Sequence, residues 1–228
     1  MTDVSQWREA LDGLDPPEWP EYVEGRSGLP GPRANLALVG FVAQHADAAT
    51  VQELLTDGRE YPVMCAAAAV GRRSSDPSAE AAARALADDE RWRVREGVAI
   101  GLQLLGDTDP GAWRSIASRW VDDPSPLVQR AAVAAICEPR LLRTSEAAAA
   151  AVDVCARATR HLTSLPSDEA RRPDARTLRQ ALGYGWSVAV AADPGVGLGQ
   201  FLALDTEHPD VAWIVRENRR KKRLSTLL

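Results

Sequence analysis

The 228-residue sequence predicts an all-α protein, a right-handed solenoid of helical hairpins, and three observations carry that prediction. Alanine takes 39 positions while Phe, Trp and Tyr together make up only 5%, a balance that suits helices packed closely through small side chains and not a β-sandwich or barrel. From Asn35 onward, apolar residues recur at helical spacing in runs separated by short turns. Segments more than thirty residues apart also repeat one another.

Residues 1–33 stand apart from the rest. Thr2, Asp3 or Ser5 is placed to cap a short helix through Leu14, which Asp15-Pro16-Pro17 then stops. The Gly- and Pro-rich stretch from Trp19 to Pro32 predicts an irregular arm tacked to the body by Trp19 and Tyr22. Residues 34–228 form the repeat domain, with helices expected over 35–45, 47–56, 61–71, 77–87, 92–105, 111–121, 126–137, 146–164, 174–191, 195–204 and 208–223. Asp76-Pro77, Asp109-Pro110 and Asp123-Pro124 mark helix starts: the acid caps the first turn, and proline follows where its missing N–H leaves no bond unmade. No segment alternates as a half-buried strand would.

Laying Asp89–Glu96 over Asp123–Arg130 gives an offset of 34 residues, and each segment runs into an apolar helix, Gly97–Ile100 and Ala131–Ala134. His208–Glu217 is a third copy and Glu60–Ala69 a weaker one. Hairpins at that period bury their apolar faces on their neighbours, and roughly five or six would stack into one cooperative body after residue 35. The phrase of turn, Asp, spacer, apolar residue, Val, Arg and Ala-rich helix resembles the second-helix start of a HEAT repeat. HEAT-type solenoids are mostly binding surfaces, so the resemblance implies an architecture and a concave surface for a macromolecular partner. Ala112–Val121, Val128–Val133 and Leu178–Tyr184 resemble the DNA-alkylation-repair family of HEAT-like glycosylases. That resemblance implies an Asp and aromatic residues around a cationic alkylated base, with basic residues on the phosphates. Trp92 matches one aromatic, Glu96 stands at the place of the Asp, and Tyr184 falls where the family tends to carry Trp. The ending, Trp213–Leu224, is similar to bacterial HEAT-like proteins related to those enzymes, which implies a non-catalytic relative.

The net charge of -5 and a pI near 5.3 exclude a protein whose whole surface grips nucleic acid. The charge is uneven, however: residues 1–60 hold 11 acids and 4 bases, whereas residues 216–223 hold six bases and one acid. Arg219, Arg220, Lys221, Lys222 and Arg223 are consecutive, so they cover more than one side of a helix and suit either phosphate contacts or a solubilising cap on the end of the solenoid.

The candidate binding residues each admit a structural reading beside the functional one. Trp92 and Glu96 are one helical turn apart, flanked by Arg93 and Arg95, which either contact phosphates or pair with neighbouring turns. A carboxylate there is suited to stabilising the positive charge of a breaking N-glycosidic bond only if it faces an open aromatic cleft, so Glu96 is a catalytic candidate under the glycosylase alternative alone. Trp113 and Trp120, seven residues apart, share one helix face that either lines a groove with Arg119 and Arg130 or fills the core. Tyr184 and Trp186 lie beside Gly183 and Gly185, which signal a kink or a close helix approach.

His45, His161 and His208 are dispersed and show no zinc spacing. Gly195–Gly199 lacks the strand and spacing of a nucleotide loop, and Cys65, Cys137 and Cys155 sit in apolar helical contexts. No metal, cofactor or disulfide is therefore expected. The N-terminus has neither the basic nor the apolar region of a secretory signal, no run is long enough to span a membrane, and the protein is expected to be cytoplasmic. The reading is a non-enzymatic binding or scaffold protein for a protein or nucleic-acid partner. The alternative is a DNA-binding protein or a glycosylase that excises cationic alkylated bases.

Overall fold

The computed structural model describes residues 4–228, and every regular element in them is helical. Two compact units divide the chain, Met1–Leu105 and Gly106–Leu228.

In the first unit, α1 (Val4–Asp12) is followed by a 3-10 turn (Pro16–Glu18) and α2 (Trp19–Glu24). The caps Thr2 and Asp3 lie outside the described residues, and Ser5 falls within α1 itself. The expected irregular arm is corrected over residues 16–24, which are helical, while residues 25–35 are irregular. Pro16 and Pro20 occupy first-turn positions, where a missing N–H does no harm, and the Glu18 carboxylate accepts the Asp15 N–H at 2.8 Å. The arm is also part of the unit's core: Trp7, Leu11, Trp19 and Val23 are buried, and Trp7 meets Phe41 edge-on at 5.9 Å.

Helices α3 (Leu36–His45), α4 (Ala48–Asp57), α5 (Glu60–Arg72), α6 (Pro77–Ala87) and α7 (Trp92–Thr108) follow, the last running across the divide. Helix α5 is the centre of the unit, with α3, α4 and α6 packed around it and Cys65–Ala69 fully buried. Helix α7 reaches α5 through glycines, for a Cβ on Gly97 or Gly101 would strike the carbonyl of Met64 or Ala68. Two turns of this unit are built alike. In Asp57-Gly58-Arg59 the guanidinium bonds both carboxylate oxygens at 2.8 and 2.7 Å, and Arg91 does the same with Asp89 at 2.9 and 2.8 Å. These bonds hold both carboxyls below the usual carboxylate range. Arg91 also donates to the Gly58 carbonyl at 2.8 Å, tying one turn to the next.

The second unit contains α8 (Pro110–Trp120), α9 (Pro126–Ile136), α10 (Ser145–Ser164), α11 (Pro173–Ala192), α12 (Pro194–Leu202), α13 (Pro209–Arg219) and α14 (Lys222–Ser225). Helices α9, α11 and α13 lie side by side in one layer, with α8, α10 and α12 in the other. Arg157 of α10 bonds Asp122, Asp153 and the Ser118 carbonyl, and His161 adds a 2.9 Å bond to Asp122. Hydrogen bonds from Arg157, then His161, lower the Asp122 pKa.

Asp76 and Asp109 cap α6 and α8 as expected, each ahead of a proline. Asp123-Pro124 does not start α9. Its cap is Ser125 with Pro126 at the first position, while Asp123 accepts the Ser125 N–H at 2.9 Å one step earlier. The expected continuous helix 208–223 also breaks, ending at Arg219 and restarting at Lys222. The extended backbone at Lys221 makes the turn that carries Leu224 into full burial against α11.

Candidate functional site

The basic tail and Tyr184 converge within the second unit. Tyr184 stands out from α11 with 44% of its surface exposed. The break after α13 brings Arg223 back to it: the guanidinium donates to Tyr184 Oη at 3.0 Å and its carbon lies 4.9 Å from the ring centroid. Lys221 Nζ lies 5.9 Å from the same centroid. Arg220 pairs with Glu217 at 2.8 Å, and Glu217 also meets Arg216 at 3.7 Å. Arg219 and Lys222 are exposed and make no ion pair among the described residues. One turn along α11, Arg179 sits 4.9 Å from the Trp213 ring centroid and bonds Asp210 at 2.6 Å. An exposed aromatic surrounded by cations of mixed occupancy can hold an anion or stack on a flat ring.

Asn218 sets the floor of this cluster. Its side chain is fully buried, accepts the Ser187 N–H at 2.8 Å, and donates to the carbonyls of Leu182 and Ile214 at 2.8 Å each. It therefore pins α13 to α11 on the two sides of Tyr184. Gly183 faces the Trp213 ring, where a Cβ would come within 2.6 Å, and Gly185 packs on Val133, Cys137 and Cys155. The glycines thus serve close approach of α11 to its neighbours.

The other candidates separate from this cluster. Of the two readings of Trp113 and Trp120, groove or core, the structure takes the core, and Trp186, a candidate binding residue, is corrected to a core residue as well. Trp113 is 1% exposed and donates to the Ala135 carbonyl at 3.1 Å; Trp186 is fully buried and donates to Thr159 at 3.1 Å. Trp120 is buried too. A tryptophan whose N–H is satisfied inside the core has nothing left to present at the surface. Arg119 is exposed on α8 and donates to Ser115 at 2.6 Å, and Arg130 is half-buried on α9 and already engaged.

In the first unit, Trp92 is 54% exposed, with the Arg93 guanidinium 4.6 Å from its ring and bonded to Glu60 at 2.8 Å. Arg95 takes the structural alternative: it is buried and donates to the carbonyls of Asp89 at 2.5 Å and Glu90 at 2.8 Å. Gln129, its counterpart one repeat on, makes the same bond to the Asp123 carbonyl at 2.7 Å. Glu96 is half-buried on α7 and is not free of partners.

Among the described residues no group of His, Cys, Asp and Glu is placed to hold a metal ion. The three cysteines are buried and unbridged, with the Cys137 and Cys155 sulfurs 3.6 Å apart. That contact and burial raise the Cys155 thiol pKa. No described helix is long and apolar enough to cross a membrane.

Sequence reasoning singled out Tyr184 and Arg219–Lys222 but missed Asn218, Arg179 and Trp213. Asn218 had a readable signal, since it continues the inward stripe Val211, Ile214, Val215 at helical spacing. Residues 48–137, from α4 through α9, match a family model described as HEAT repeats. No curated protein matches the chain, and no solved structure does. Stacked helical hairpins, the absence of strands among the described residues and the family match together make this an all-α, HEAT-like repeat solenoid.

Proposed function

We propose that this chain is a non-enzymatic HEAT-repeat binding protein that receives an anionic macromolecular partner at Tyr184 and the basic residues Arg219 to Arg223. The observation that carries this reading is the exposed Tyr184 ring between Lys221 and Arg223, on a chain whose net charge is otherwise negative. Six bases gathered in residues 216–223 of an acidic protein make a local patch of the kind that attracts a negative surface. Trp92 with Arg93 is a second, separate exposed contact in the same proposal.

The test is a fluorescence-anisotropy titration of the full chain against labelled polyglutamate, duplex DNA and single-stranded DNA. Binding to at least one of the three is expected, with Tyr184→Ala combined with Arg223→Gln weakening it. For single-stranded DNA the loss should be about tenfold or more, since base–aromatic stacking is worth about 1–3 kcal/mol. Binding that is absent throughout, or unchanged in the double variant, contradicts the reading.

A second reading, DNA binding by a relative of the alkylation-repair glycosylases, is favoured by the two exposed rings that each carry an Arg beside them. Base excision would need a carboxylate free to face a cationic sugar, and Glu96 is half-buried and engaged. Release of methylated purines from alkylated duplex under single-turnover conditions is therefore expected at the spontaneous rate, alike in wild type and Glu96→Gln. Faster release abolished by that substitution would make the protein an enzyme.

A further inference from the structure

The second unit holds a cavity of about 340 Å³ between α10, α11, α12 and α13, lined by none of the side chains of the Tyr184 cluster. Its volume falls in the lower part of the range of small-molecule sites, about 300–1,000 Å³. The floor is apolar and complete. Trp186 and Val211 are buried there, and Thr159 spends its hydroxyl on the Cys155 carbonyl at 2.7 Å and the Trp186 N–H at 3.1 Å. No polar group at the bottom asks for a partner, so whatever enters leads with an apolar end.

The mouth is different. Arg160 lines the cavity from α10, is exposed, and has no ion pair among the described residues. The acid on the same rim, Asp205, is turned to its own loop, where Oδ1 accepts the Glu207 N–H at 3.0 Å. One guanidinium fork beside one carboxylate suits a ligand with a single negative charge; a phosphate dianion would meet Asp205 with the same sign.

We propose that this cavity is a binding site for a small monocarboxylate with an aromatic or branched apolar body, which lies between Ala156, Ala203 and Leu204 above the buried Trp186, its carboxylate on Arg160. The site is independent of the macromolecular surface at Tyr184, so each stands or fails alone.

The experiment is an NMR titration of the nitrogen-15-labelled full chain with phenylbutyrate and with its uncharged amide, followed at the assigned Trp186 indole N–H. A saturable shift is expected with the acid, with affinity at least about tenfold lower for the amide and for Arg160→Gln, because a hydrogen bond to a charged group is lost. Ala203→Trp, at an exposed position on the cavity wall, places a ring in the mouth and should abolish the shift. Both substituted residues are exposed, and an unchanged urea midpoint confirms that the variants fold. The proposal is overturned by no saturable shift with the acid, by equal affinity for acid and amide, or by binding unaltered in either variant.

Discussion

Gly101→Ala is expected to destabilise the protein by about 2 kcal/mol, although alanine is the better helix former. A methyl group at this position would run into the Ala68 carbonyl and come within 2.9 Å of the Arg72 nitrogen and the Gly71 Cα. All three are backbone atoms of α5, so no side chain can rotate aside and the helices must part. Overpacking of this kind costs typically about 1–3 kcal/mol, occasionally more, against a gain of about 1 kcal/mol from helix propensity. Gly40→Ala is the control. Gly40 lies in α3 with nothing within 4 Å of where a Cβ would stand, so only the propensity gain of about 1 kcal/mol remains. The same substitution should thus change sign between two helices of one unit, as read from urea midpoints. Two shifts of the same sign would mean that α5 and α7 are not in backbone contact.

Asn218→Leu should cost about 3 kcal/mol. Leucine has a similar size, but it abandons the Ser187 N–H and the Leu182 and Ile214 carbonyls, all partnered by a side chain with no exposure. A buried donor or acceptor left without its partner costs about 1–3 kcal/mol, and helix relaxation recovers part of the sum. The loss appears as a lower urea midpoint. A loss below about 1 kcal/mol would show that α11 and α13 are held by their apolar contacts and that Asn218 is not the pin.

Most helices were legible because their signals are local. Asp76-Pro77 and Asp109-Pro110 announce caps that the structure builds as read, and the 34-residue offset finds equivalent residues, Arg95 and Gln129, making equivalent bonds. What failed depended on surroundings. Pro16 and Pro20 look like breakers until they are seen to stand at first-turn positions. The break at Lys221 follows from the burial of Leu224, a demand made by α11 and invisible in residues 208–223. Trp113 and Trp120 share a face whether that face meets core or solvent, so spacing alone does not choose between them. The Tyr184 cluster was half legible: the basic run and the tyrosine stand out in sequence, but their meeting across 39 positions is a product of the turn after α13.

The salt dependence of binding tests whether the basic cluster around Tyr184 holds a polyanion. For whichever polyanion the full chain binds most tightly, affinity is measured across a salt series for wild type and for the variant Arg220→Gln, Lys221→Gln, Lys222→Gln. If the partner is held by charge at this cluster, the variant binds more weakly and its log–log slope flattens, by about 0.9 for each phosphate contact removed where the polyanion is duplex DNA. A slope identical to wild type would remove the tail from the interface and show that the Tyr184 cluster is not where the polyanion binds.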